Sequence, residues 1–379
     1  MWKIEPLGAR LNIFIIISTK PFITIMKRNA TTFLPILGLA LAGALSFTSC
    51  KGSDKPIPKD PNAEKPVVTK AHETAVLLVT FGSTYEGPQK TYAAEQAYFK
   101  QKFPDADHYF SFTSRTIINR MHAKGENFLP PPMYLQEFLK AHYKNVFVQS
   151  LHIIPGEEYT LLRDYYVKKE YNVQLLDLEN DDRNFAVLGT PLLNDKESIE
   201  RVAQVLADDH AAHLKAGDAV VFVGHGNPEE NYVYANMKYV ELEDALQKYA
   251  REHYGSDKIY VGTVEGKIKD DNGQLVDMGY EYVMAQLNKV KGDVKKVHLQ
   301  ILMSIAGDHA NNDMAGTATE EDGQPLDLED QSWLNRMTHD GYEVSVQKPL
   351  KALGDYEELR ALWYDHLRAA IDNMGKEEE

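Results

Sequence analysis

Two histidines and two carboxylates stand out because each follows an apolar run at a glycine-containing turn. His225 sits between glycines in "GHGNP" (224–228), His309 in "IAGDHANNDMAG" (305–316), Glu265 in "GTVEG" (262–266) and Glu158 in "PGEEY" (155–159). Two imidazoles and a carboxylate supply borderline nitrogen and oxygen ligands suited to a divalent ion such as Co²⁺, Fe²⁺, Ni²⁺ or Zn²⁺. A neutral imidazole can also act as a base near pH 7. Plainer readings exist: a turn histidine with one local hydrogen bond, a solvated loop histidine, and an acid stabilised at a helix N-terminus. No local spacing of the HExxH kind ties the residues together, so only the fold can assemble them.

The elements that would do so repeat along the chain. The runs "AVLLVTFGS" and "AVVFVGHGN" begin at Ala75 and Ala219, 144 residues apart (219 − 75). The runs "NVFVQSLHIIPGEEY" and "KVHLQILMSIAGDHA" begin at Asn145 and Lys296, 151 apart (296 − 145), which sets Gln149 over Gln300, Gly156 over Gly307 and Glu158 over His309. Two pairs at nearly one spacing mark an internal duplication. Helical patterns starting at Tyr92, Pro131, Lys196 and Lys238 alternate with these runs, which predicts an α/β fold of parallel sheets covered on both faces. In such sheets ligands bind beyond the carboxyl ends of the strands. The turns "TFGST", "FTSRT", "PGEEY", "GHGNP", "GTVEG" and "AGDHA" all fall there and are expected to converge on a cleft between the halves. A final amphipathic helix over Asp355–Met374, with Asp355 as N-cap, is expected to cross back to the first half.

The N-terminus reads differently. Met26 to Cys50 is a basic start, an apolar run over Phe33–Leu45 and small residues before the chain's one cysteine. This is the pattern of a secretory signal ending at a lipidated cysteine, and residues 1–25 read as an upstream start-site artefact. The apolar run of 13 residues is short for a membrane span, which needs about 20. Residues 50–72, rich in Pro and Lys, read as a tether. The domains expected are therefore a leader over 1–49, the tether over 50–72, and α/β halves over 73–194 and 195–379. The formal net charge is −15, and the leader holds five of the bases but one acid, so the body is more acidic still. That argues against nucleic acid as a partner.

Taken in order, "VLLVTFGSTYE", "FSFTSRTII", "VFVQSLHIIPGEEY", "LGTPLL", "FVGHGN", "VGTVEG" and "AGDHANNDMAG" resemble the sirohydrochlorin cobaltochelatases of the anaerobic cobalamin pathway, over nearly the whole body. The resemblance implies two similar flavodoxin-like (Rossmann-like) domains that clasp a tetrapyrrole and insert metal without ATP. It implies a metal site of His225, Glu265 and His309, with Glu158 as an active-site acid on the opposite wall. Co²⁺ is the expected metal substrate, with Fe²⁺ and Ni²⁺ as alternatives. The segment "NPEENYVYANMKYV" after "GHG" and insertions from Lys267 and Thr317 depart from the family pattern beside the site. Tyr232, Tyr234, Tyr280 and Tyr282 lie near the loops, where packing or stacking on a macrocycle are the two roles open to them. The partners expected are the tetrapyrrole, the membrane through Cys50 and further copies of the same chain. The location expected is outside the cytoplasm, facing the periplasm or cell surface. An exported haem- or corrinoid-binding lipoprotein, or a haem iron-dechelatase, is the alternative reading.

Overall fold

The computed structural model describes residues 66–176, 183–317 and 324–374. The leader, Cys50 and most of the tether lie outside the described residues, as does part of the insertion after Thr317. No described helix is long and apolar enough to cross a membrane.

The first half carries β1 (Thr74–Thr80), α1 (Gly87–Lys102), β2 (Asp107–Phe112), α2 (Arg115–Ala123), α3 (Pro131–Lys140) and β3 (Asn145–Ser150). It continues through α4 (Glu157–Thr160), π-helical turns over Leu161–Asn172 and α5 (Val173–Leu176) to β4 (Val187–Gly189). Then follow α6 (Lys196–Asp209), α7 (Ala211–Ala216), β5 (Ala219–Gly224), α8 (Val233–Tyr254) and β6 (Ile259–Thr263). A hairpin of β7 (Lys267–Lys269) and β8 (Leu275–Asp277) precedes α9 (Tyr280–Leu287), β9 (Val297–Ile301), α10 (Trp333–His339), β10 (Val344–Val346) and α11 (Glu357–Asp372).

Two four-stranded parallel sheets result, ordered β2-β1-β3-β4 and β6-β5-β9-β10. Each has the 2-1-3-4 arrangement of a flavodoxin-like sheet without a fifth strand. The registers carry the duplication down to single residues. Ala75 pairs with Val146 where Ala219 pairs with Val297, and Val76 pairs with His108 where Val220 pairs with Ile259. The central strands are thus offset by 144 and their neighbours by 151, as the sequence repeat requires.

Alternation along the central strands sorts the core into three layers. Ala75, Leu77 and Val79 face one layer with Phe138 and Tyr143, while Ala219, Val221 and Val223 face another with Trp333 and Met337. Val76 and Leu78 share a continuous middle layer with Val220, Phe222, Tyr239 and Trp363. The halves are therefore joined by common apolar burial. All five residues Ala75–Val79 are at most 1% exposed, which accounts for their unbroken apolar run.

The helix α11 buries Leu359, Leu362, Trp363 and Leu367, spaced for one face. It packs on the first sheet: a Cβ on Gly189 would stand 3.0 Å from the Leu367 Cα, and the Trp363 indole donates to the His152 carbonyl at 3.4 Å. Its start differs from expectation. Asp355 belongs to a preceding 3-10 turn, where its carboxylate accepts from the Ala352 amide at 2.8 Å and the Thr91 hydroxyl at 2.7 Å, so the helix begins at Glu357. The single helix expected from Lys196 is interrupted at His210, whose backbone (φ −102°, ψ 10°) leaves the helical region. The insertion at Lys267 is the β7–β8 hairpin, with Asp270 accepting from the Asn272 and Gln274 amides.

Candidate metal centre

The loops at the carboxyl ends of both sheets meet. The Asn227 side chain, just past "GHG", accepts from the Glu157 amide at 3.2 Å, and a Cβ on Gly156 would lie 1.8 Å from its Oδ1. Only glycine admits so close an approach. The Tyr234 hydroxyl donates to the Pro155 carbonyl at 3.0 Å. On the other side the Thr84 hydroxyl and Arg120 reach Asp308 at 3.4 and 3.5 Å, and the Tyr85 hydroxyl donates to Asn312 at 3.1 Å. Asp308 thus serves as a tie between the halves.

His225 and His309 come together at this junction, Nε2 to Nε2 at 3.0 Å, with their rings edge to face. Gly226 makes the turn possible: its φ is +84°, and a Cβ there would lie 1.7 Å from the Glu265 carbonyl oxygen. The Nδ1 of His225 stands 2.8 Å from the Gly226 carbonyl, an acceptor, so it carries the proton and leaves Nε2 as a bare lone pair. The Nδ1 of His309 stands 2.6 Å from an Asp313 carboxylate oxygen. These contacts are all satisfied when His309 donates from both nitrogens, to Asp313 and to His225. Burial, reinforced by the neighbouring His309, pushes the His225 imidazole down to about 4. His225 is therefore neutral at pH 7 and free to ligate.

Glu265 approaches His225 from the other side, Oε1 to Nδ1 at 3.7 Å. In this rotamer His225, Glu265 and His309 do not present three ligand atoms within 4.8 Å of one another. The two imidazoles form the pair, and Glu265 stands apart from it on the Nδ1 side of His225. At metal–nitrogen bonds of about 2.0–2.1 Å, the 3.0 Å separation of the two Nε2 atoms corresponds to an angle of about 95° at the ion, near the cis angle of octahedral coordination.

Glu158 lies on the first-half wall with Thr113, Arg115 and His152. Burial pushes its carboxyl up, against the lowering influence of the Thr113 hydroxyl and the Arg115 charge. Thr113 Oγ1 is also 3.5 Å from His152 Nε2, whose Nδ1 is 2.8 Å from the Ser150 hydroxyl. Burial holds His152 at about 4, hence neutral. Tyr280 and Tyr282 belong to the packing: Tyr280 is 6% exposed, bonds Asp340 and stands edge-on to Trp333, and Tyr282 rests against the core. Tyr234 is exposed at the cleft rim.

Sequence reasoning missed Asp313, His152, Thr113 and Asn227. Asp313 had a signal, since it follows His309 by four residues, the spacing of neighbours on one helical face. Replacing it by asparagine should lower metal insertion about 10- to 100-fold, the usual cost of losing a carboxylate that orients a ligating imidazole. A Co²⁺ titration beside a rate assay would check this, and an unchanged rate would show that Asp313 does not orient His309.

The family model described as "Cobalt chelatase (CbiK)" matches residues 74–372. The chain belongs to the cobalt chelatase (CbiK) family. It is a metal chelatase by that membership, with a divalent metal as substrate. The sirohydrochlorin cobaltochelatase CbiKC of Nitratidesulfovibrio vulgaris is 30% identical over 300 residues, covering 79% of this chain and 91% of the relative. The sirohydrochlorin cobaltochelatase of Salmonella typhimurium is 29% identical over 308 residues, covering 80% and 98%. Among solved structures, SirB from Bacillus subtilis with Fe3+ aligns over 79% of this chelatase and 96% of its own length, at TM-score 0.48 and 13% identity. The matched span of the chelatase begins at β1 and ends with α11, so it takes in both sheets and the histidine pair.

Proposed function

We propose that this chelatase inserts Co²⁺ into sirohydrochlorin or a close tetrapyrrole relative, without ATP, in the cleft where the two sheets meet. The observation that carries the reading is the His225–His309 pair, two imidazoles 3.0 Å apart at the carboxyl ends of β5 and β9. The ion replaces the proton shared by the two Nε2 atoms, and Glu265 turns to complete the ligand set. Insertion exchanges two pyrrole N–H protons for the ion. One passes to the His309–Asp313 pair, and the other to the opposite wall, where Glu158, Thr113 and His152 stand in line. Coordination by two imidazoles with open positions holds the ion weakly enough to hand it on, unlike a closed structural site.

The full chain, incubated with sirohydrochlorin and Co²⁺ and no nucleotide, should convert the visible spectrum from that of the free macrocycle to that of its cobalt complex. No conversion, together with loss of iron from added haem, would favour the dechelatase reading instead.

The same proposal places the chelatase outside the cytoplasm, tethered by lipid on Cys50 with residues 51–72 as spacer; the support is the leader pattern in the sequence. A Cys50→Ala chain should leave the membrane fraction or stay unprocessed, as fractionation and N-terminal sequencing would show. Wild-type chain recovered in the cytoplasm would refute the placement.

A further inference from the structure

We propose that the amino-terminal edge of the second sheet carries a second divalent-metal site, formed by His213, Asp218 and His298. Among the described residues these alone offer three ligand atoms of His, Cys, Asp or Glu within 4.8 Å of one another.

The fold brings them together from distant positions. Asp218 precedes β5 and His298 is the second residue of β9; with Ala219 opposite Val297, the two lie on adjacent strands at the same edge. The helix α7 ends on the left-handed Gly217 (φ +88°), and the Asp218 amide donates back to the His213 carbonyl at 3.0 Å, which folds His213 over the strand ends. One oxygen of Asp218, Oδ2, is 2.9 Å from His298 Nε2 and 3.8 Å from His213 Nδ1. The two rings stack with centroids 3.6 Å apart.

The surroundings are those of a ligating group. The side chains of His298 and Asp218 are 12% and 13% exposed. The Ser345 hydroxyl stands 2.6 Å from His298 Nδ1, the outer partner that a ligating imidazole commonly has. Beside His213, at 5.9 Å between ring centroids, lies His210, which is 6% exposed with neither ring nitrogen hydrogen-bonded. His210 is not among the residues whose ligand atoms converge here, so the proposed ion rests on His213, Asp218 and His298. Imidazoles with one carboxylate select a borderline ion such as Co²⁺, Ni²⁺ or Zn²⁺ over Mg²⁺ or Ca²⁺. The site is separate from the cleft, because β5 carries the chain seven residues from Asp218 to His225, about 23 Å at about 3.3 Å per residue.

The test uses the full chain in detergent with His225→Ala and His309→Ala, which disables the cleft, titrated with Co²⁺ alone by calorimetry and visible absorption. One Co²⁺ should still bind with a ligand-field band. Adding His213→Ala should weaken that binding at least about tenfold, and Asp218→Asn should do the same. The His213 side chain is 44% exposed, so its removal does not open the core. No Co²⁺ bound by the cleft-disabled chain, or binding untouched by both further substitutions, would overturn the proposal.

Discussion

Replacing His309 by alanine should lower metal insertion at least about a hundredfold while tetrapyrrole binding stays near its wild-type affinity. The substitution removes one of two Nε2 atoms that face each other at 3.0 Å and, with the ring, the Nδ1 contact to Asp313. His225 would keep its lone pair but lose the second ligand, and the cleft would lose its route for one pyrrole proton. On the proposed function the walls of the cleft would hold the macrocycle and His309 would act on the metal, so binding and insertion should separate. His225→Ala should behave alike, whereas exposed His142 should tolerate replacement. Spectral titration for binding and a stopped assay for insertion would measure both. Equal losses in the two would mean that His309 shapes the pocket and has no role in chemistry.

Trp363→Ala should destabilise the fold by about 3–5 kcal/mol, a large share of the about 5–15 kcal/mol that holds a typical domain together. Trp363 is fully buried in the middle layer common to both sheets, and its indole donates to the carbonyl of His152 on the cleft wall. The loss of a buried indole leaves a cavity that the flanking parallel strands cannot close by shifting. Urea unfolding would give the value. A loss below about 1 kcal/mol would mean that α11 is not what fastens the last segment to the first sheet.

The duplication was legible because parallel strands buried on both faces keep long apolar runs, and the 144- and 151-residue spacings reappear as the ladder registers themselves. The histidine pair was legible for a related reason, since both residues stand in turns that follow such runs. The position of Glu265 on the Nδ1 side of His225 was not, because it depends on how Gly226 turns the backbone. Nor was Asp355, which reads as a helix cap until the 3-10 turn before the helix claims its carboxylate. The destination of α11 does not follow from its amphipathic face, which says that a helix packs and not where. The cluster of His213, Asp218 and His298 was invisible, since it spans two strands and a helix end that only the β5–β9 register brings side by side. The expectations for the leader and Cys50 concern residues outside those described.

The most direct test of the central claim is a crystal structure of the chain soaked with Co²⁺, read at the cobalt absorption edge. One ion is expected in the cleft, bonded to the Nε2 atoms of both His225 and His309 at about 2.1 Å, with a Glu265 oxygen drawn toward it. Cobalt bound in the cleft away from this pair, or a His225–His309 contact that persists at 3.0 Å with no ion between, would contradict it.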